Sequence, residues 1–220
     1  MRKVQKVQWV AGVVGLAVSA AAVASPWSLT VGVGSALAAN AQSGGQTAID
    51  TVGAACGCTV TGQADTRVPF GSVGVGYRVN RWVAVAANGF AAGTFQDSMT
   101  LTGGGQSAPA TLRDHISGGD LLLQIHHRFS RRWAWSAGAG LAVTRDSESG
   151  AITVGGSTTT FPAVVNTRVS AAVAVAVTYA LTRSWGLGLS YVEIPTVGSS
   201  GGQYTAGPLG LASVTGTYTF

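Results

Sequence analysis

Large apolar side chains alternate with small ones along most of the chain. Between residues 133 and 143, one set of alternate positions carries Trp133, Trp135, Ala137, Ala139, Leu141 and Val143, while the other carries only Ala, Ser and Gly. Residues 120–129 and 169–181 repeat the alternation. Because successive side chains of a β-strand point to opposite faces, a period of two predicts strands with one bulky face and one small-residue face.

Eight such strands are predicted, and their connections fall into two kinds. The strands lie at about residues 26–39, 67–79, 82–96, 113–129, 133–146, 163–181, 185–195 and 208–220. Three connections are tight turns, at Asn80-Arg81, Ser130-Arg131-Arg132 and Thr182-Arg183-Ser184. Four are predicted to be long loops rich in Gly, Ser and Thr, at residues 40–66, 97–112, 147–162 and 196–207. Short turns at one end and long loops at the other are typical of up-and-down membrane barrels.

Charged residues are scarce. They make up 10% of the chain, against roughly a quarter in soluble domains. After residue 24 no uninterrupted apolar run approaches the roughly 20 residues of a spanning helix. Only helices and closed barrels satisfy every backbone group in lipid. The pattern therefore predicts an all-β fold, an eight-stranded antiparallel up-and-down transmembrane β-barrel, with its bulky face in lipid and its small residues lining the lumen.

Residues 1–24 are predicted to be a cleavable signal peptide, and residues 25–220 the outer-membrane barrel domain. A basic start is followed by an uncharged apolar stretch, residues 9–23, and by the small-x-small site Ala22-Val23-Ala24. An uncleaved membrane anchor is the less favoured alternative, because the stretch is short. Without the signal, ten arginines face eight acids. The basic isoelectric point therefore gives no support to nucleic-acid binding.

Each tight turn carries arginine near tryptophan. Trp82, Trp133 and Trp185 follow the turns at intervals of 51 and 52 residues. Tryptophan favours the membrane–water interface, and arginine reaches lipid phosphates from it while its stem stays in apolar surroundings. We therefore predict a set of periplasmic interfacial anchors, namely Arg81, Trp82, Arg131, Arg132, Trp133, Trp135, Arg183 and Trp185.

The stretch LASVTGTYTF, with Tyr218 and Phe220 on one stripe, resembles the C-terminal aromatic signature of bacterial outer-membrane proteins, although Gly216 departs from its usual apolar position. Together with the signal, the turns and the strand count, residues 26–220 resemble the small eight-stranded outer-membrane barrels of the OmpA/OmpX and opacity-protein type. The resemblance implies location in the outer membrane of a Gram-negative bacterium and recognition of Tyr218 and Phe220 by the barrel assembly machinery. It fixes no activity.

One polar cluster is predicted inside the barrel. By strand parity, Arg78, Asp120, Gln124, His126 and Arg128 face the lumen. They are interpreted either as a polar plug, which we favour because small barrels fill their interiors with paired side chains, or as a gate or small-solute site. His127 points outward near the periplasmic rim.

The loop end holds three weaker candidates. Cys56 and Cys58 favour a local disulfide over free thiols and, last, a metal site. Arg67, Arg113 and Arg145 either bind lipopolysaccharide phosphates or solvate the rim. His115 and Ser117 match the His-x-Ser element of lipid A deacylases, but no acid of matching parity lies in that stretch to orient the histidine.

These features predict a non-enzymatic outer-membrane barrel, with a structural or surface-interaction role through long extracellular loops. We expect contacts with outer-membrane lipids and lipopolysaccharide, a host or phage surface ligand, a monomer, and no catalytic residues, cofactor, metal or nucleic acid. A narrow porin-like channel for small or apolar solutes is the alternative, because the predicted lumen face is rich in Gly and Ala. A lipid A-modifying hydrolase is the least favoured function.

Overall fold

The computed structural model describes residues 26–38, 57–195 and 208–220. These described residues form nine strands: β1 (Trp27–Ala38), β2 (Thr59–Ala64), β3 (Arg67–Arg78), β4 (Val83–Gly103), β5 (Gln106–Arg128), β6 (Trp133–Val154), β7 (Ser157–Ala180), β8 (Trp185–Ile194) and β9 (Leu209–Thr219). The predicted signal peptide and most of the predicted first and last long loops lie outside the described residues.

Eight of the strands form a closed antiparallel ring. The order is β4-β3-β1-β9-β8-β7-β6-β5, and pairing between β4 and β5 closes it. β2 is an accessory strand outside the ring, paired with Asp97–Thr102 of β4. The predicted eight-stranded up-and-down barrel is confirmed. Within the described ranges, no helix is long and apolar enough to cross a membrane.

The bulky stripes form the exterior. Outward aliphatic side chains such as Leu141, Val169 and Leu189 are about 60% exposed or more. On β6 this apolar stripe runs from Trp133 to Val143. Ten steps of about 3.3 Å, tilted by about 40°, cover roughly 25 Å along the barrel axis, which is the height of a lipid-facing band. A surface of this kind is stable only against hydrocarbon or another apolar surface.

Two predicted long loops are instead continuous extensions of the ring strands. β4 and β5 pair as far as Gly103 and Gln106, and β6 and β7 as far as Val154 and Ser157. The predicted loops 97–112 and 147–162 are therefore wrong. Each hairpin closes on a Gly-Gly pair with positive φ, Gly104-Gly105 and Gly155-Gly156, as two-residue hairpin turns require.

β-bulges interrupt the alternation in this extension. Ala92 and Gly93 of β4 together face Ile116 of β5, so the extra residue shifts every later side chain of β4 to the opposite face. Phe90 and Ala92 are buried before the bulge, and Phe95 and Met99 after it. A second bulge lies in β7, where Pro162 and Ala163 together face Ser149 of β6.

The hydrophobic core lies inside the loop-end half of the barrel. Its members come from all eight ring strands and are nearly all inaccessible to solvent: Ala36, Val68, Phe70, Phe90, Ala92, Phe95, Ile116, Leu122, Ala142, Ala172, Ile194, Leu209 and Leu211. We call this set the apolar plug. It corrects the expectation that bulky side chains all face outward, because these large residues occupy lumen positions.

Candidate functional site

The three tight turns share one hydrogen-bonding scheme. The side-chain oxygens of Asn80, Ser130 and Thr182 each accept from the backbone N–H groups two and three residues ahead, at 2.8–3.2 Å. In this alignment Trp133 and Trp185 are the first strand residues, while Trp82 lies one position earlier, inside its turn. The near-constant tryptophan spacing is therefore not a structural repeat. It arises because Trp82 lies two residues after Asn80. Trp133 and Trp185 each lie three residues after the corresponding turn residue.

Aromatic rings nevertheless form a belt around the turn end. Trp27 contacts Tyr77 at 4.9 Å between ring centroids, Trp133 contacts Tyr179 at 5.0 Å, and Trp185 contacts Tyr218 at 5.0 Å. Tyr218 continues the contact to Phe220. The three pairs that contain tryptophan each join neighbouring strands of the ring. Such a girdle is what a barrel presents at the membrane–water boundary.

His127 completes the belt on β5. Its ring stacks on Trp82 at 5.7 Å and contacts Trp135 at 6.1 Å. The Arg81 guanidinium lies over Trp82, while Arg132 donates to the Tyr179 hydroxyl at 2.7 Å. Trp82 therefore faces the exterior despite its shifted position in the chain.

The turn-end half of the lumen is hollow. A cavity of about 320 Å³ extends from the turns to Leu122, and we call it the chamber. All five residues of the predicted lumen cluster, Arg78, Asp120, Gln124, His126 and Arg128, line it. Arg183, predicted as an interfacial anchor, also lines its mouth. Small residues such as Gly76, Ala84 and Gly186 make the space.

One buried polar contact marks the inner end of the chamber. Asn88 Nδ2 donates to Asp120 Oδ1 at 2.6 Å. A methyl group at Gly74 would collide with Asn88 Oδ1, so the glycine makes room for the asparagine. Asn88 was not among the predicted site residues. Its lumen parity, opposite Asp120 in the β4–β5 register, is the sequence signal that identifies it.

The apolar plug occupies the lumen on the loop side of the chamber. Ile116 and Ile194 are at most 5% exposed and do not line the chamber. Phe90 and Leu122 are buried members of the plug that also line the chamber. The predicted polar cluster thus surrounds an open chamber and does not fill the lumen as a plug. Sequence parity alone did not reveal that hydrophobic packing provides the seal.

A group of acids lies above the plug, inside the strand extension. Burial, a hydrogen bond to Asp146 and the negative charge of Asp146 raise the pKa of Asp114 to about 9. Burial also raises the pKa of Glu148, as does the charge of Asp146. Asp146 is 3% exposed, and its Oδ1 has no hydrogen-bond partner among the described residues. Burial and the neighbouring carboxylates therefore favour the protonated form of Asp114.

The loop-end candidates do not form one constellation. Arg67, Arg113 and Arg145 are all exposed. In the β5–β6 register Arg145 lies opposite Ser117, and Arg113 lies four residues from Ser117 along β5, toward the loop end. Arg67 donates to Ser35 Oγ at 3.0 Å. Whether the three bind lipopolysaccharide remains a prediction.

His115 and Ser117 share the outer face of β5. The residues beside His115 in the register are Thr94 and Ser147. Neither is an acid, so neither orients the imidazole for general-base catalysis.

Of the two predicted disulfide cysteines, Cys58 is disulfide-bonded and precedes β2. Cys56 lies outside the described residues, and the local pairing stays a prediction. Across the described ranges, no set of three or more His, Cys, Asp or Glu residues is arranged to hold a metal ion.

The closed ring, the apolar band and the aromatic girdle together define an eight-stranded β-barrel of the outer-membrane type. No family model and no curated protein matches the chain. Solved structures of similar fold include Neisserial surface protein A, at 14% identity and a TM-score of 0.47, covering 89% of this chain and 98% of that one. The outer membrane protein OprG from Pseudomonas aeruginosa is 11% identical, with a TM-score of 0.47 and the same coverage of both chains. The attachment invasion locus protein Ail of Yersinia pestis is 10% identical, with a TM-score of 0.43, and the match covers 89% of this chain and 99% of that one.

Proposed function

We propose that this protein is a non-enzymatic outer-membrane barrel that presents a rigid extracellular sheet for surface contacts. In this proposal residues 1–24 are the export signal, residues 25–220 form the barrel, and the girdle lies at the periplasmic interface. Tyr218 and Phe220 serve as the assembly signal, and the barrel acts as a monomer.

The strand extension is the observation that carries the proposal. Strands β4 to β7 continue well beyond the apolar band, and β2 adds a further strand to the side of β4. Two long hairpins with one continuous ladder between β5 and β6 are far more ordered than flexible loops. A preordered surface loses less conformational entropy when it binds a partner.

The exposed composition of the extension also favours binding. Val154, Phe161, Val164 and Val165 are each about half exposed at or near the outer end of β6 and β7. They lie beyond Arg145, above the level of the apolar band, and therefore in water rather than in lipid. Exposed apolar residues grouped in this way are typical of interaction surfaces.

The apolar plug argues against the porin-like alternative. A solute would have to displace fully buried side chains such as Leu122 and Ala142. Eight-stranded barrels ordinarily fill with side chains rather than conduct. A deacylase is also less favoured, because His115 has no carboxylate beside it in the register.

Trimming the hairpins tests the role. Residues 98–111 and 148–164 are each replaced by Asn-Gly, which joins the register partners Asp97 and Leu112 and the partners Ser147 and Val165 by short turns. Bacteria displaying the protein are measured for attachment to epithelial-cell monolayers and for adsorption of phage. We expect the trimmed barrel to reach the outer membrane but to lose most of one of these activities.

Gly104→Asn is the matched control, since asparagine tolerates positive φ and the hairpin is kept. It should behave like the unmodified protein. Equal attachment and phage adsorption by the trimmed and unmodified barrels would contradict the surface-contact role.

A further inference from the structure

The chamber carries an excess of positive charge at its open end. Arg78 on β3, Arg128 at the end of β5 and Arg183 in the β7–β8 turn line it from three different positions around the ring. Arg132 lines it too, but its guanidinium is held by the Tyr179 hydroxyl. Arg78, Arg128 and Arg183 therefore line the same space, and none of them makes a comparable hydrogen bond to the described residues.

The negative charge of the chamber does not balance this excess. Asp120 is the one acid among the described lining residues, and it lies at the inner end, where Asn88 donates to it at 2.6 Å. His126 lies between, with its Nε2 buried and without a hydrogen-bond partner in the described structure. Arg78 is close enough for its charge to act on that imidazole. The mouth of the chamber therefore attracts anions.

The walls suit a ligand that also carries hydroxyl groups. Twelve of the described lining residues are serine or threonine. Thr30 and Thr217 lie 3.2 Å apart on facing strands, and Ser190 and Ser213 lie 2.7 Å apart. A hydroxyl offers one donor and two acceptor positions, so such pairs retain capacity for a further partner. The volume of about 320 Å³ falls at the lower end of small-molecule sites.

The arrangement separates an anion-binding mouth from a hydroxyl-lined interior with an apolar ceiling. Guanidinium groups recognise phosphate and carboxylate through paired N–H donors. Three guanidiniums favour the doubly charged phosphate over a single carboxylate. Because the plug closes the other end, a ligand enters and leaves from the turn side.

We propose that the chamber is a binding site, open to the periplasm, for a small hydroxylated molecule bearing a phosphate group. The phosphate lies among Arg78, Arg128 and Arg183, and the hydroxylated part points inward toward His126 and the serine and threonine walls. The site is independent of the extracellular extension and of any role in attachment.

Titration calorimetry on the full barrel in detergent micelles tests the site, with glucose 6-phosphate as the probe. We expect a dissociation constant on the order of 1 mM or tighter. Inorganic phosphate should bind more weakly and glucose more weakly still, because each lacks one of the two recognised parts. Arg128→Gln and Arg183→Gln should each weaken glucose 6-phosphate binding about tenfold, as expected for loss of one charge-assisted contact.

Arg131→Gln is the matched control. It removes the same charge from the same rim, yet Arg131 does not line the chamber, so its affinity should be unchanged. Migration of heated and unheated samples on a gel verifies that each variant is folded. Absence of glucose 6-phosphate binding, equal binding of glucose, or an equal loss in Arg131→Gln would overturn the proposal.

Discussion

The two halves of the lumen are enclosed by the same eight strands yet differ completely in content. At the turn end, Gly76, Ala84 and Gly186 leave a polar chamber of about 320 Å³. At the loop end, Phe95, Ile116 and Ile194 are buried members of the apolar plug and do not line the chamber. Strand number sets the circumference in both halves. The comparison shows that side-chain volume at inward positions decides whether a narrow barrel is hollow or sealed.

The largest effect is expected from breaking the seal. Ile116→Ala removes a side chain that is 5% exposed and does not line the chamber, and it should lower the free energy of unfolding by about 2–5 kcal/mol. Gln124→Ala, eight residues along the same face of β5 but lining the chamber, should cost less than about 1 kcal/mol. Urea unfolding of both variants in micelles compares the two halves directly. Equal losses would show that the halves do not differ in packing.

Glycine substitutions should separate the interior from the exterior. In Gly74→Ala the new methyl group meets the Asn88 side chain and lies 3.1 Å from the Ala87 carbonyl oxygen. We expect a loss of about 1–3 kcal/mol through this overpacking. Gly216→Ala is the control, since no atom lies within 4 Å of its added carbon. A neutral Gly74→Ala in the same unfolding assay would contradict the tight fit of Asn88.

The acids above the plug should make the extension sensitive to alkali. The pKa of Asp114 is raised to about 9 in the folded protein, from an ordinary 3.8, chiefly by burial. The folded state therefore binds more protons than the unfolded state between these values. The free energy of opening should fall as pH rises through this window, by up to about 1.4 kcal/mol per pH unit for one proton.

Hydrogen exchange measures this dependence locally. Amides of β5 between residues 106 and 115 should lose protection between pH 6 and pH 9, after correction for the intrinsic exchange rate, while amides of β8 should not. Asp114→Asn should remove the difference. Protection of the extension that is independent of pH would count against the raised pKa of Asp114.

The sequence predicted the hollow half better than the sealed half. Arg78, Gln124 and His126 were placed in the lumen because unbroken alternation links them to outward-facing neighbours such as Tyr77 and Ile125. Alternation does not predict the plug, because bulky residues such as Val68 and Phe90 occur at inward positions, against the general trend. Period-two reasoning identifies a face but does not count the volume that fills it.

The extension escaped prediction for two local reasons. Gly104-Gly105 and Gly155-Gly156 add to the Gly-, Ser- and Thr-rich composition that predicts loops, although paired glycines are equally a hairpin signal. The bulge at Ala92-Gly93 then reverses the faces of β4, so no single alternation spans the strand. A glycine within a strand pattern, here Gly93, is the available sign of such a bulge.

Sided chemical labelling tests most directly whether the lumen is open at one end and sealed at the other. Ser136 lines the chamber. The Ser136→Cys variant is therefore treated with a maleimide reagent coupled to a polymer that is too large to pass through porins. We predict no labelling in intact bacteria, where only the loop end is accessible, and ready labelling once the outer membrane is opened. Labelling in intact bacteria, or none after opening, would contradict the account.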